Sequence, residues 1–303
     1  MGNMMSSPID SISVIVFPGV QDLPNFAAEA HGFFTSRNLA VQTSFTSGSK
    51  QLRGGLSDGT FQIAHGAVDN AIDMIRTGGH DVVTICGLDH GFNRFFVQPD
   101  IHRFADLRGR TIVVDAPDTA FALMIYKILE RHGVERHEYT VQQVGSTRFR
   151  LEAMQRDDGA AACMLNLPFA VLAEQSGLRV LADPVVELGA YQSCCGFVLR
   201  RWAEQNSDVV TRYLAAYLEG LRWVLTPSNR AGCVQLLVDR LKITADIAGT
   251  CLDIVTNPVS GFARNAEIDM EGFRNMLAIR GNPDKQPPED FIDLSYYRAA
   301  LAG

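Results

Sequence analysis

Short apolar runs alternate with amphipathic stretches along the first two thirds of the chain. Ile12-Ser13-Val14-Ile15-Val16-Phe17 is rich in β-branched residues and stops at Pro18-Gly19, which predicts a strand running into a loop. Leu23 to Phe34 carries apolar residues at helical spacing and predicts a helix ending near Gly32. Ala40 to Phe45 alternates and predicts a second strand; Lys50 to Leu56 predicts a short helix and Phe61 to Ala64 a third strand. Asp69 to Arg76 predicts a helix stopped by Gly78-Gly79, and Val82 to Cys86 a fourth strand. Strands alternating with helices imply a largely parallel sheet covered by helices.

The same rhythm then repeats. Ile112-Val113-Val114 predicts a strand, and Asp118-Thr119 offers an N-cap for a helix from Ala120 to His132 that Gly133 stops. Tyr139 to Val144, Ala160 to Leu165 and Val180-Leu181 predict strands, with helices over Arg148 to Arg156 and Pro168 to Gln175 between them. After Phe197-Val198-Leu199 the pattern turns helical, over Asp208 to Leu225, Arg230 to Leu241 and Ala245 to Ile254. Two α/β units with a helical tail have two arrangements open to them. They form two sequential domains, or the tail folds back on the first unit and the second becomes an inserted lobe.

Composition narrows the class. The chain has 303 residues, 47% hydrophobic and 20% charged, with 34 acidic against 27 basic side chains and a net charge of -7. This is the profile of a globular protein of two domains or lobes. The acidity argues against a nucleic-acid partner, which needs a basic face. No apolar stretch reaches the roughly 18 residues of a membrane span. Cys86, Cys163, Cys194, Cys195, Cys233 and Cys251 show no CxxC pair and no metal-ligand spacing with the histidines, so no metal is expected and the cysteines read as reduced and structural. The opening residues, MGNMMSSPIDSISVIVF, lack a basic n-region and an apolar h-region. They fit a cytoplasmic protein, or a periplasmic one whose signal peptide has been removed.

Three phrases in order carry a resemblance. Ala27-Ala28-Glu29-Ala30-His31-Gly32-Phe33-Phe34 with Asn38-Leu39-Ala40-Val41 resembles an A-x-E-x-G-F-F … G-L-x-V signature. Asp106-Leu107-Arg108-Gly109-Arg110-Thr111-Ile112 resembles D-L-K-G-K-x-I, and Asp293-Leu294-Ser295-Tyr296-Tyr297 sits where a terminal Asp-containing helix is found. The chain thereby resembles the nitrate/sulfonate/taurine and pyrimidine-precursor substrate-binding proteins of ABC transporters (SsuA/THI5-like, NMT1-like), which have the type II periplasmic-binding-protein fold. It departs from them at Gly59-Thr60-Phe61-Gln62, where they usually read G-E-V-D. The resemblance implies an α/β fold of two lobes, residues 1–97 plus 198–303 and residues 98–197. Hinge strands would lie near Phe95-Phe96-Val97 and Phe197-Val198-Leu199, with a ligand cleft between the lobes at the carboxyl ends of the strands.

That placement nominates Gly19, Gln21 and Asp22 after the first strand, His65 and Gly66 at the end of the third, and His90, Asn93 and Arg94 after the fourth. In the second lobe it nominates Asp115, Asp118, Thr119, Phe121, Asn166, Tyr191 and Gln192. Each also has a plainer reading. Asp22 and Asp118 are preferred N-caps, His65 suits a hydrogen-bonded core, and the aromatics suit packing. Four acids, Asp22, Asp89, Asp115 and Asp118, face only Arg94 and two histidines, a balance that favours a neutral or cationic heteroaromatic ligand over an anion.

Two functions follow. The first is a binding protein, without cofactor, that captures a small organic molecule (heteroaromatic, pyrimidine-like or a sulfonate) for uptake through an ABC permease. The alternative is a ligand sensor or a cytoplasmic enzyme on the same fold, a lyase or hydrolase of desulfinase, decarboxylase or pyrimidine-biosynthesis type, acting on a small aromatic or heterocyclic acid. His65, Arg94 and Cys194 are its candidate catalytic residues. Ser193-Cys194-Cys195-Gly196-Phe197 falls where the related pyrimidine synthases carry a run of cysteines, and their histidine position falls on Asn70.

Overall fold

The computed structural model describes residues 9–156, 159–281 and 285–303. Residues 1–8 of the opening segment lie outside the described ones. The first half of the chain holds β1 (Asp10–Val16), α1 (Leu23–Ala30), β2 (Leu39–Phe45), α2 (Ser49–Ser57), β3 (Ile63–Ala67), α3 (Asp69–Arg76), β4 (Val82–Gly87), β5 (Arg94–Val97), β6 (Thr111–Val114), α4 (Ala120–Arg131), β7 (Thr140–Gln143) and α5 (Thr147–Arg156). The second half holds β8 (Ala160–Leu165), α6 (Phe169–Gln175), β9 (Arg179–Ala182), α7 (Pro184–Leu188), β10 (Cys194–Leu199), α8 (Arg200–Gln205), α9 (Ser207–Val224), α10 (Arg230–Leu241), α11 (Ala245–Val255), α12 (Met270–Arg280) and α13 (Ser295–Ala302).

The strands form two five-stranded sheets, ordered β2-β1-β3-β10-β4 and β7-β6-β8-β5-β9. Within the first, β1, β2 and β3 run parallel, and β10 is antiparallel to both its neighbours. Within the second, β6, β7 and β8 run parallel, and β5 is antiparallel to β8 and β9. Each sheet thus receives one antiparallel strand at the point where the chain arrives from the other. The two crossings, Leu88 to Asn93 and Gly189 to Ser193, run side by side. Leu88 N donates to Cys194 O (3.0 Å), Ser193 N to Asp89 O (3.2 Å) and Gln192 Nε2 to Asp89 O (3.1 Å). Gly91 turns the first crossing at φ +102, a region that favours glycine, while Asp89 Oδ1 accepts its N–H at 2.8 Å.

Most predicted elements form close to their expected bounds, because strands buried on both faces must be apolar throughout. Four differences have identifiable causes. The first helix stops at Ala30, four residues before Phe34, because Gly32 takes φ +72 and Thr35–Arg37 closes a 3-10 turn. β3 runs two residues later than its apolar run, since its register on β1 pairs Val16 with His65. Neither Asp22 nor Asp118 caps a helix with its side chain: Asp22 turns inward, and the cap of α4 is Thr119, also without a side-chain bond. Helix α12 carries the N-cap Asp269, which accepts from Glu271 N and Gly272 N, a signal that the apolar pattern alone does not reveal.

Helices α1 and α9 cover the first sheet and touch backbone to backbone. A side chain added at Gly220 would bring its Cβ to 2.2 Å from Pro24 O and 3.1 Å from Ala28 N. Around that contact Phe26, Tyr213 and Tyr217 are fully buried, each stabilising the fold by roughly 1.5–3 kcal/mol. Helix α12 instead packs with α4 and the second sheet through Phe273, Met276 and Leu277. All six cysteines are buried and free. Among the described residues no helix is long and apolar enough to cross a membrane.

Candidate functional site

The carboxyl ends of the parallel strands in both sheets face one another across a small cavity of about 40 Å³. From the first sheet come Phe17 and Gln21 after β1, Ser49 at the start of α2, Ala67 and Asn70 after β3, and Cys194 at the start of antiparallel β10. From the second come Asp115, Thr119, Ala120 and Phe121 after β6, Thr147 and Arg150 after β7, and Asn166 after β8. Such an edge is where open α/β sheets place ligands, since each strand delivers its chain end to a loop or helix start there. The cavity has room for about three waters at roughly 10–15 Å³ each, so a larger ligand needs the two halves to part. Ser49 joins them: its Oγ donates to Asp115 Oδ2 at 2.5 Å and its N–H to the same oxygen at 3.3 Å.

Of the residues nominated from sequence, Gln21, Asp115, Thr119, Phe121, Asn166 and Cys194 line this cavity. The rest lie elsewhere. Gly19 packs beneath the Gln21 side chain. Asp22, His65 and Gly66 belong to the buried interior of the first sheet. Asn93 is buried beside the crossing, Tyr191 is buried, and Gln192 bonds Asp89 O, Cys194 O and Asp269 N. His90 stands 3.8 Å from Asp269, and Arg94 pairs with Asp183 at 3.2 Å. Asp118 is exposed, and its backbone carbonyl, rather than its carboxylate, takes part in bonding, accepting from Arg280 Nη1 at 3.0 Å. The trio His65, Arg94 and Cys194 is therefore not assembled; only Cys194 reaches the cavity, and burial pushes its thiol well above the ordinary range.

His65 has a full set of partners instead. Asn25 Nδ2 donates to Thr43 Oγ1 (2.7 Å), which turns Asn25 Oδ1 toward Tyr213, and the Tyr213 hydroxyl donates to it at 2.9 Å. That uses the only hydroxyl proton, so His65 Nε2, 2.9 Å away, is the donor in its contact with Tyr213. His65 Nδ1 and Asp22 Oδ1 then share one proton across 2.8 Å. Burial raises the Asp22 pKa, while His65 and Gln21 act in the opposite direction. The result is a net-neutral pair inside a hydrophobic wall, a structural unit rather than a proton relay open to ligand.

The acid count of the site also changes. Of the four acids weighed from sequence, Asp115 alone lines the cavity. A base that sequence reasoning missed stands there too. Arg150 is 2% exposed, and its Nε, Nη1 and Nη2 donate to Met164 O (3.1 Å), Gly145 O (3.1 Å) and Thr147 Oγ1 (2.8 Å). Its guanidinium lies 5.6 Å from the Phe121 ring centroid. Burial pulls its pKa down, and no carboxylate pairs with it among the described residues. The same strand-end rule that nominates Asp115 applies to Gly145-Ser146-Thr147 after β7 and to Gly48-Ser49 after β2, and it would have found Thr147 and Ser49 but not Arg150, one helical turn further on.

At the flank of the cavity Arg280 bonds Asp69 Oδ1 (2.5 Å), Asp73 and Asp118 O, tying α3 to the loop before α4. Burial raises Asp69 to a pKa of about 6 despite the neighbouring Arg280. An acid whose folded pKa lies above its unfolded value of 3.8 favours folding most below that value, and the benefit disappears as pH rises through about 6. Asp69→Asn should remove this dependence. Relative to wild type, the variant is expected to gain roughly 2–3 kcal/mol between pH 3.5 and pH 7, at about 1.36 kcal/mol per pKa unit. Urea melts at both pH values measure it, and a difference independent of pH would refute the assignment.

The comparisons with known proteins fit this geometry. The family model described as NMT1/THI5 like matches residues 21–231, well over half of the chain. The chain belongs to the NMT1/THI5-like family. Among solved structures it is similar to the periplasmic nitrate-binding protein NrtA from Synechocystis PCC 6803, with 12% identity, 98% of this chain and 90% of that one covered, and a TM-score of 0.81. The alkanesulfonate-binding protein SsuA from Xanthomonas axonopodis pv. citri, bound to MOPS, matches with 15% identity over 90% of this chain and 92% of that one, TM-score 0.74. The desulfurization enzyme DSZB matches with 15% identity over 97% and 99%, TM-score 0.65. No curated protein sequence matches. These structures share the periplasmic-binding-protein fold with this NMT1/THI5-like chain, and at such identities they speak to the fold alone.

Proposed function

We propose that this NMT1/THI5-like chain is a substrate-binding protein that captures a small organic molecule between two lobes, residues 1–97 with 198–303 and residues 98–197, and delivers it to an ABC permease. The observation that carries the reading is the cavity itself. It is built by strand ends of both sheets, and the contacts that join them across it include the two adjacent crossings, the Ser49–Asp115 bond and Arg280 on α12. Lobes joined by two short strands can part by small backbone rotations at Leu88 to Asn93 and Gly189 to Ser193, while each sheet stays intact. The nitrate- and sulfonate-binding neighbours support the reading, and periplasmic placement follows it. Burial pushes the Cys194 thiol well up, which gives no support to a nucleophilic enzyme at this cavity.

Native mass spectrometry of the purified protein, followed by denaturation, tests this. One intact small molecule per chain is expected, and small-angle scattering should show a smaller radius of gyration with it than without. A covalent adduct, or substrate and product together, would replace the binding protein by an enzyme.

A further inference from the structure

The cavity holds an arginine without a carboxylate in direct contact, Asp115 acting on it only from a distance, and carbonyl oxygens without a partner among the described residues. Arg150 offers five N–H groups and uses three on Met164 O, Gly145 O and Thr147 Oγ1. One N–H remains on each terminal nitrogen, a two-pronged match to a carboxylate. A buried guanidinium without a paired carboxylate is unfavourable, so an anion arriving there meets a site already desolvated. Lining the same cavity are Asn70 and Asn166, whose Oδ1 atoms are buried and without a hydrogen-bond partner among the described residues. The Asn70 amide nitrogen is engaged with Ala67 O at 3.1 Å, which fixes the orientation of its oxygen. Both residues line the cavity, as does Asp115, whose Oδ2 is committed to Ser49. One end of the site thus asks for an anion and the other for N–H donors.

We propose that the ligand is a small carboxylate that also carries N–H groups, an amino acid or an N–H heterocyclic or aromatic acid, with Arg150 holding the carboxylate and Asn70 and Asn166 accepting from the nitrogen. This rests on the binding-protein reading and adds the ligand class to it. It also reverses the balance expected from the sequence, in which the acids outnumbered the bases at the cleft.

Titration calorimetry with glycine, anthranilate and pyrrole-2-carboxylate, each beside its neutral amide, and with ethanesulfonate, tests it. At least one acid is expected to bind 100-fold or more tightly than its amide and than ethanesulfonate. Arg150→Gln should abolish that preference, and Asn166→Leu should weaken the acid about tenfold while leaving the melting temperature within a few degrees. Arg150→Lys guards against a loss of fold in the first variant, since it keeps the charge and should retain part of the acid preference. Amides or sulfonates binding as well as the acids would overturn the ligand class while leaving the binding protein standing. A wild type that binds none of the panel and leaves purification empty, with no change in radius of gyration, would overturn both.

Discussion

Replacing His65 by leucine is expected to lower the melting temperature by about 5–10 °C without changing ligand affinity measured at low temperature. The loss arises from Asp22, which is fully buried and has His65 as its hydrogen-bond partner at 2.8 Å. Without the imidazole a carboxylate stays inside the first sheet with one oxygen already unsatisfied. Breaking one side of a buried pair costs about 3–5 kcal/mol. For 303 residues, at about 2.1 cal/mol/K of unfolding entropy per residue, each kcal/mol moves the midpoint by roughly 1.5–2 °C. Removing both charges should restore much of the loss, so His65→Leu with Asp22→Leu is expected to melt above His65→Leu alone. If instead the single variant kept its melting temperature and lost ligand binding, the histidine would belong to the site after all.

The second large effect is at Gly220. A glycine in mid-helix is ordinarily a weakness of about 0.5–1 kcal/mol against alanine. Here the missing side chain lets α9 approach the Pro24 carbonyl on α1, and any Cβ would sit 2.2 Å from that oxygen. Gly220→Val therefore forces two packed helices apart and should destabilise by about 3 kcal/mol, the upper range for overpacking. Gly249 on α11 is the control, because the nearest atom to its added Cβ is Arg230 Nη2 at 3.6 Å. Gly249→Ala is expected to stabilise by roughly 0.5–1 kcal/mol. Denaturant midpoints of the two variants, moving in opposite directions, would establish the contrast; equal shifts would refute it.

The central strands and most helices were legible because both sheets bury those strands on two faces, which writes apolar runs into the sequence. The site was legible only through the strand-end rule, and only where it was applied. Asp115, Thr119, Phe121 and Asn166 follow from it. Arg150 lay hidden in Thr147-Arg148-Phe149-Arg150-Leu151, where one arginine pairs with Glu152 at the surface and the next turns inward. Nothing in a single sequence tells those two arginines apart. His65 misled for the opposite reason: a histidine at a strand end reads the same whether it meets a ligand or a buried aspartate.

Strand β10 lies in the middle of its sheet, between β3 and β4, yet the chain supplies it last. At a synthesis rate of about 5–20 residues per second, the roughly 100 residues between β4 and β10 take on the order of 5–20 s to emerge. Throughout that interval β3 and β4 carry open edges, while the five strands of the other sheet emerge one after another. On the ribosome the inserted sheet is thus free to form first, and the older strands wait with unpaired backbone that invites pairing with another chain. A chain truncated before Cys194 would keep that exposure permanently.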